Sequence, residues 1–316
     1  MLAAAMLPLG RRFAVSLALS AYWAALCQAQ EIEPRAYSPS PVGVNFLIAA
    51  GAHSEGGVLT DPSLPVSNID AKIDALVAGY GRTFSFFGRS ANAALALPYV
   101  HAEAAGDIGE SRRSVTREGI GDAKLRFAFN LIGAPAMTPR EFAQRTPQTT
   151  LGFGLTVNLP TGEYDPDHLV NIGTNRWAAK TEFGLTYPRG KWLLETYVGA
   201  WFFADNDDFF GGHRREQEPL ASIQAHVSYT VKPHLWLALN TTYYEGGQTT
   251  VDGVHKADRQ SNSRAGLTFS MPVGKSYSLK VSWNRGATTR IGSNFTTFGV
   301  GLQYAWMDKP GRPKGE

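Results

Sequence analysis

The stretch from Ala221 to Val231 alternates apolar and polar side chains with a period of two residues. Its odd positions carry alanine, isoleucine, valine and tyrosine, and its even positions carry serine, glutamine, histidine and threonine. Such alternation over about eleven residues predicts a β-strand long enough to cross a bilayer at a tilt. The chain turns at Lys232-Pro233-His234 and returns through Leu235, Leu237 and Leu239. A lone hairpin of this kind is marginal in water, so it requires neighbouring strands.

The same alternation recurs along the chain and predicts about twelve strands. Besides the two strands of this hairpin, the predicted strands are residues 42–52, 69–80, 91–101, 122–131, 149–159, 176–187, 192–203, 259–271, 277–286 and 295–306. Connections are short near Pro188, Lys232 and Pro272 and long near His53, Ala102, Pro160, Asp205 and Gln248. Short turns on one side and long loops on the other are typical of outer-membrane barrels. We therefore predict an all-β, antiparallel up-and-down transmembrane barrel with both termini in the periplasm.

Tryptophan and tyrosine gather near the predicted strand ends, where a membrane barrel carries aromatic girdles at its two interfaces. This set comprises Trp177, Tyr187, Trp192, Trp201, Tyr229, Trp236, Tyr243, Tyr244, Tyr304 and Trp306.

The bulk composition is that of a soluble protein, with 43% hydrophobic residues, 18% charged residues and a mean hydropathy of −0.19. A transmembrane barrel gives the same averages because lipid-facing and lumen-facing residues alternate. A soluble β-sandwich or a lipocalin-like barrel would also alternate, and the period alone does not tell which face meets water. The net charge of +3, without a basic patch, argues against a nucleic-acid partner.

The N-terminus has the three parts of a secretory signal peptide, predicted here as residues 1–29. Arg11-Arg12 precedes an apolar segment from Phe13 to Leu26, and small residues follow at Cys27 and Ala29. A buried N-terminal helix and a lipoprotein acylated at Cys27 are the alternatives. Cleavage after Cys27 would remove the single cysteine, which excludes disulfides and thiolate sites from the mature chain. The predicted mature protein has a periplasmic extended leader (residues 30–41), an outer-membrane barrel (residues 42–306) and a periplasmic tail (residues 307–316).

Charged residues on the polar strand faces are predicted to line the lumen and the solute path. They are Asp70, Lys72, Asp74, Asp122, Lys124, Arg126, Arg176, Lys180, Glu182, Glu195, Arg264 and Lys280. Because both signs are present, we expect salt-bridged networks that partly fill a narrow barrel rather than a ring selective for one ion sign.

The connection formed by residues 160–174 is longer than two neighbouring strands require, and longer connections are more often functional. Glu163, Tyr164, Asp165, Asp167 and His168 are predicted to form a constriction loop at the lumen. The alternative is an exposed loop that shields the barrel. The acidic clusters lack the spacing of a calcium loop, and no serine–histidine pair forms a motif. We therefore predict no catalytic residue, no metal and no cofactor.

Several segments resemble one known family. They are NLPTGEYDPDHLVNIGTNRW at 158–177, FFADNDDF at 202–209, EPL at 218–220, YYEGGQTTVDG at 243–253 and SWNRGATTRIGSNFTTFGVGLQYAW at 282–306. The sequence resembles the outer-membrane β-barrel family labelled with the meta-pathway of phenol degradation. That resemblance implies a transporter-like channel for small aromatic or hydrophobic compounds, linked to aromatic catabolism. A structural or adhesive barrel that acts through its extracellular loops is the alternative.

The last strand looks like an assembly signal, with Gly301, Tyr304 and Trp306 at the expected offsets. It departs from the family's pattern at Gly299, where a polar residue is usual, and in the tail that follows Trp306. The predicted partners are outer-membrane lipids and lipopolysaccharide, the barrel-assembly machinery and a small-molecule solute.

Overall fold

The computed structural model describes residues 33–59 and 66–308, which form a closed antiparallel barrel of twelve strands. The predicted signal peptide, Cys27 and the tail beyond residue 308 lie outside these residues. The barrel is built from β1 (Val44–Leu59), β2 (Val66–Phe86), β3 (Arg89–Ile108), β4 (Ser111–Ile120), β5 (Lys124–Ile132), β6 (Thr150–Asn158), β7 (Ala178–Arg189), β8 (Trp192–Phe203), β11 (Leu220–Lys232), β12 (Leu235–Gly246), β15 (Gln260–Val273), β16 (Tyr277–Thr289) and β17 (Gly292–Met307).

Each barrel strand pairs with its neighbours in sequence, and β17 pairs with β1 to close the ring. Both β4 and β5 pair with β3, so they are two halves of one barrel strand broken at residues 121–123. The periplasmic end carries the short turns and a six-residue helix, α1 (Pro139–Gln144), which begins with a capping box formed by Thr138 and Glu141. No helix within the described parts of the chain is long and apolar enough to cross a membrane.

The barrel exterior is apolar along its membrane-spanning height. Among the exposed side chains are Leu47, Leu97, Leu125, Phe183, Leu185, Ile223, Leu239, Leu267, Phe269 and Phe298. The polar partners on the same strands, such as Thr156, Glu182 and Asn240, are buried inside the barrel. Because the apolar face points outward, the soluble sandwich or lipocalin-like alternative is wrong, and the exterior suits hydrocarbon.

The strands differ in height around the barrel. β1, β2 and β3 have 16, 21 and 20 residues, whereas β6, β7 and β8 have 9, 12 and 12. The long connection predicted near Ala102 is wrong, because residues 102–108 belong to β3 and residues 111–120 to β4, and the two strands form a hairpin above the membrane. The side of the barrel with the shorter strands, β6 to β8, is covered at its extracellular end by the loop after β6 and by a second, smaller sheet.

The smaller sheet comes from two connections that the sequence predicts to be loops. It contains β9 (Asn206–Phe209), β10 (His213–Gln217), β13 (Thr249–Val251) and β14 (Val254–His255), in the order β14-β13-β10-β9. These strands are too short to show a period of two. They pair across the connections that follow β8 and β12, so the sheet depends on the barrel to bring its halves together.

Outward-facing aromatic residues lie near both ends of the membrane-spanning wall, including Trp177, Tyr187, Trp192, Tyr243 and Tyr304. Three members of the predicted girdle do not belong to it, because Trp201, Trp236 and Tyr244 are buried inside the barrel. Their positions share the inward parity of the polar residues on β8 and β12.

Candidate solute path

Three charges predicted for the lumen lie on the outer surface instead. The side chains of Asp70, Lys72 and Asp74 are exposed on β2, where Asp70 contacts Arg112 at 3.2 Å and Asp74 contacts His53 at 2.7 Å. On the same outer face, Leu76 is 66% exposed. The prediction failed because β2 extends beyond the bilayer, so its outer face is charged in water and becomes apolar only where it enters the membrane.

The other predicted lumen residues face inward. Asp122, Arg176, Lys180, Glu182, Glu195 and Arg264 are buried, Lys124 and Arg126 are partly buried, and Lys280 is exposed on the inner face of β16. The side chain of Lys180 is paired with Glu182, which also accepts a hydrogen bond from Gln224 at 3.0 Å. Their role in a solute path stays a prediction, but their packing shows that this half of the lumen is a filled polar network.

Residues 33–41, named here the strap, enter the barrel from its periplasmic end and do not lie outside it as an extended leader. The backbone N–H of Arg35 donates to Glu195 at 2.9 Å, and its guanidinium lies 4.5 Å from the ring centroid of Trp236. Glu33 pairs with Arg126 at 2.9 Å. The strap turns inward because the lumen supplies hydrogen-bond partners for its polar groups. These partners cannot be predicted from the period of the sequence.

Tyr37 is a buried residue of the strap and is 3% exposed. Its hydroxyl donates to Glu182 Oε1 at 2.9 Å, and its ring meets Tyr197 edge-on, with 5.0 Å between the centroids. The strap thus plugs the side of the lumen formed by β5 to β8.

The opposite inner wall is lined by small and apolar residues with one exception, Gln303, and we call it the small-residue wall. Three rows of paired residues cross β17, β1, β2 and β3: Gly299, Ala52, Ala75 and Val100; Gly301, Ala50, Val77 and Pro98; Gln303, Ile48, Gly79 and Ala96. All except Val100 are only partly buried, in contrast to the buried inner faces of β7, β11, β12 and β15. Incomplete burial of inward side chains indicates free space along this wall.

An apolar cluster lies above the small-residue wall, inside the extended part of the barrel. It contains Val58, Ile69, Ala71, Val100, Ala102, Ala104, Val170, Ile172, Ile291 and Phe295, with Ile73 and Ala75 packed against it. Two of these residues, Val170 and Ile172, come from the loop after β6. The loop therefore reaches into the upper lumen and rests on the top of the wall.

Asp122, at the break between β4 and β5, fastens this loop. Its carboxylate accepts hydrogen bonds from the backbone of Gly162 at 2.9 Å, from the backbone of Thr174 at 3.1 Å and from the Thr174 hydroxyl at 2.5 Å. Gly162 and Gly173 pack so closely that a Cβ on either would collide with the other's backbone. Both ends of the loop are thus held at one buried carboxylate.

The residues predicted to form the constriction lie on the other side of this loop. Glu163, Asp165, Asp167 and His168 are exposed, whereas Val170 and Ile172 face the lumen. Tyr164 is half-buried, and its hydroxyl donates to the Asp208 carbonyl at 3.0 Å. The sequence pointed to the acidic residues because charge is conspicuous, while two β-branched residues in a loop carry no periodic signal.

The smaller sheet covers this loop and buries two arginines. The guanidinium of Arg176 lies 4.7 Å from the ring centroid of Phe203 and donates to Gln217. Burial, followed by the nearby positive charge of Arg215, holds the pKa of Arg176 well below its ordinary value. Burial also lowers the pKa of Arg215 to about 10. The loop and the sheet consequently form one packed cover over the side of the barrel with the shorter strands.

The interior histidine contacts an asparagine. His226 is 1% exposed, and its Nδ1 lies 2.9 Å from Asn240 Oδ1. Within residues 33–59 and 66–308, no group of three or more histidine, cysteine, aspartate or glutamate side chains is placed to hold a metal ion.

The sequence matches the family model described as "Putative MetA-pathway of phenol degradation" over residues 54–306. This chain belongs to that family. No curated protein matches it. The match spans the barrel from the extracellular part of β1 to the last strand.

Two solved structures show the same kind of fold. A COG4313 outer-membrane channel from Pseudomonas putida F1 is 20% identical, with a TM-score of 0.75, over 87% of this chain and 100% of the other. The β domain of the Bordetella autotransporter BrkA is 12% identical, with a TM-score of 0.50, over 83% of this chain and 100% of the other. The family member described here therefore has the fold of a bacterial outer-membrane barrel.

The last strand carries the residues predicted as the assembly signal. Gly301 faces the lumen, whereas Tyr304 and Trp306 face outward and stack on each other with 5.4 Å between ring centroids. Tyr277 packs on Tyr304 at 4.9 Å, and Tyr80 lies 6.2 Å from Trp306. These rings join β16, β17 and β2 across the strand that closes the barrel.

We expect Trp306→Ala to lower the yield of folded protein in the outer membrane more than it lowers transport per folded barrel, because it removes an aromatic contact at the closing strand. Heat-modifiable mobility on gels measures the folded fraction. Trp283→Ala is the matched control, since Trp283 also faces outward but lies away from this cluster. Equal folded yields for the two variants and the parent would contradict an assembly role.

Proposed function

We propose that this protein is an outer-membrane channel for small aromatic or similarly hydrophobic solutes, and not an enzyme. The observation that carries the proposal is the partly exposed small-residue wall, which continues downward from the apolar cluster. An apolar solute that enters from outside meets apolar side chains first and then a strip of mostly small and apolar residues, with Lys280 beside Gly301 at its edge on β16. Channel selectivity follows the residues that line the path and its width, and this lining favours solutes with little polar surface.

The filled polar side of the lumen supports a narrow path. Its inward-facing charges include both signs, as in the pair of Lys180 and Glu182, so they form no single-signed ring on the described strands and the interior does not favour ions of one sign. The strap narrows the periplasmic half and the loop after β6 narrows the extracellular half. Membership of a family described by phenol degradation is consistent with an aromatic solute.

Transport can be tested in a Gram-negative host that lacks its general porins. We expect expression of the intact protein to raise the initial uptake rate of radiolabelled phenol above that of the empty host, with little gain for a sugar of similar mass. Folded protein is measured in the same cells by heat-modifiable mobility. An unchanged phenol uptake rate at high folded yield would reject transport and leave the structural or adhesive barrel as the function.

A further inference from the structure

We propose that the niche occupied by Tyr37 is a binding site for a free phenol, and that the Tyr37 side chain is its built-in occupant. The inference rests on the proposed function, because it names a solute class and a binding site for the same lumen. Beyond its Cβ, a tyrosine side chain is a phenol. The structure therefore displays how this lumen holds a phenolic ring and hydroxyl.

The niche is shaped by missing side chains. Gly152 and Gly154 on β6 and Gly184 on β7 all face inward, and a Cβ on any of them would overlap the Tyr37 side chain. None of the three has a positive φ, so backbone conformation does not require glycine there. Ala128 on β5 forms the adjoining surface and is 1% exposed. These glycines leave a flat recess on the barrel wall with the thickness of one aromatic ring.

Polar groups at the niche recognise a phenolic hydroxyl. Glu182 Oε1 accepts the Tyr37 hydroxyl at 2.9 Å, while the other oxygen of Glu182 is held by Lys180 and Gln224. The acceptor is thus oriented by neighbours that do not depend on the strap. A hydrogen bond from a neutral hydroxyl to a carboxylate is among the stronger kinds, so the site distinguishes a phenol from an unsubstituted arene.

The aromatic ring has its own partners. The rings of Tyr37 and Tyr197 form an edge-to-face pair with an interplanar angle of 81°, and the guanidinium carbon of Arg126 lies 5.5 Å from the Tyr37 ring centroid. Both arrangements are attractive for any electron-rich ring. Tyr197 is itself fixed, because its hydroxyl donates to Glu195 at 2.7 Å. A free phenol in the niche would meet the same ring contacts as Tyr37.

The strap is attached in a way that allows exchange. Its C-terminal part is bound to the barrel through the Ser40 carbonyl, which accepts from Ser90 at 3.1 Å, and through the Pro41 carbonyl, which accepts from Thr83 at 2.6 Å. Tyr37 lies between these anchors and the contacts of Glu33, Arg35 and Ala36, so it leaves the niche when those contacts are released while the anchors remain. As a tethered occupant it competes at an effective concentration in the millimolar range, which a dilute phenol does not match. The intact protein should consequently bind phenol weakly, and a protein with an empty niche should bind it well.

The test uses the purified full-length barrel in detergent with 4-fluorophenol as the probe, observed by fluorine NMR. We expect Tyr37→Ala to bind 4-fluorophenol at least about tenfold tighter than the parent protein, and to bind fluorobenzene roughly tenfold more weakly than 4-fluorophenol. Tyr37→Phe keeps the ring in place and should show no gain. Adding Gly184→Ala to Tyr37→Ala places a methyl group in the empty recess and should remove most of the gain.

Equal binding by the parent and Tyr37→Ala, or undiminished binding after Gly184→Ala, would overturn the proposal. If Tyr37→Ala does not fold, hydrogen exchange of the parent protein decides the question. Phenol at high millimolar concentration should speed exchange at the Arg35 and Ala36 amides, which donate to Glu195 and to the Tyr197 hydroxyl, and cyclohexanol should not. Unchanged exchange with phenol would reject the site.

The binding and uptake experiments test the phenol site and the proposed channel separately. Binding by Tyr37→Ala without phenol uptake by cells expressing the intact protein would retain the site and reject transport. Uptake by those cells without any gain in binding would retain transport and reject the site.

Discussion

Cells that express Ala50→Trp are expected to take up phenol at roughly a tenth or less of the parent rate. A bulky side chain narrows the path, and the width of the path limits the rate at which solute passes through a channel. Ala50 lies in the middle row of the small-residue wall, beside Gly301 on β17 and Val77 on β2. An indole at this position would project into the space that the partly buried side chains of the wall leave open. Single-channel conductance in planar bilayers should fall with the uptake rate.

The neighbouring residue supplies the matched control. Ala49 is exposed on the outer face of the same strand, where it pairs with the outward residues Ala78 and Leu302. Ala49→Trp therefore adds the same side chain on the lipid side, where tryptophan is tolerated. We expect parental uptake and conductance for this variant. Equal uptake by the two variants and the parent, at equal folded yield, would show that solute does not pass along the small-residue wall.

Replacing residues 162–172 with a short glycine–serine turn is expected to raise conductance and to admit larger aromatic solutes, while the barrel still folds. The replacement removes Val170 and Ile172 from the apolar cluster at the top of the path. No strand of the barrel lies within the replaced segment. Uptake of phenol and of a two-ring aromatic compound, compared between variant and parent, measures the change in width.

Two further variants test separately how the loop is anchored and whether its exposed side chains matter. Asp122→Ala leaves the loop sequence intact but removes the carboxylate that holds both of its ends. Each lost hydrogen bond to this charged group costs roughly 2 kcal/mol of the free energy that holds the loop in place. It should reproduce part of the conductance gain. The double variant Asp167→Ser, His168→Ser changes only exposed side chains and should behave as the parent. If the loop replacement conducts and transports like the parent, the loop is a cover and does not narrow the path.

The period of two determined the main architecture from sequence alone. It indicated the barrel strands from residue 149 to residue 306 closely, including the hairpin of β11 and β12, but not the four short strands of the smaller sheet. It also placed Lys180, Glu182, Glu195 and Arg264 on inward faces. These predictions succeed because successive side chains of a strand point to opposite faces, and a membrane barrel makes those faces chemically different.

The period did not reveal how far a strand extends beyond the bilayer. On β2 the apolar face from Ile69 to Val77 points inward along its whole length, while the outer face changes from Asp70, Lys72 and Asp74 to Leu76 and Tyr80. The prediction that these charges line the lumen therefore exchanged the inner and outer faces of β2. That switch within one strand is the sequence signal that would have corrected the prediction.

Tertiary structure alone decided how the lumen is filled. The strap, the loop after β6 and the smaller sheet have no period, and they are ordered by residues far away in the chain, as in the hydrogen bond from Arg35 to Glu195 across 160 positions. Local propensity cannot specify such contacts, because they exist only after the barrel has closed and brought both partners together. The alternating pattern therefore determines the wall of the barrel, whereas the path inside it follows from three segments whose conformations depend on contacts with the completed wall.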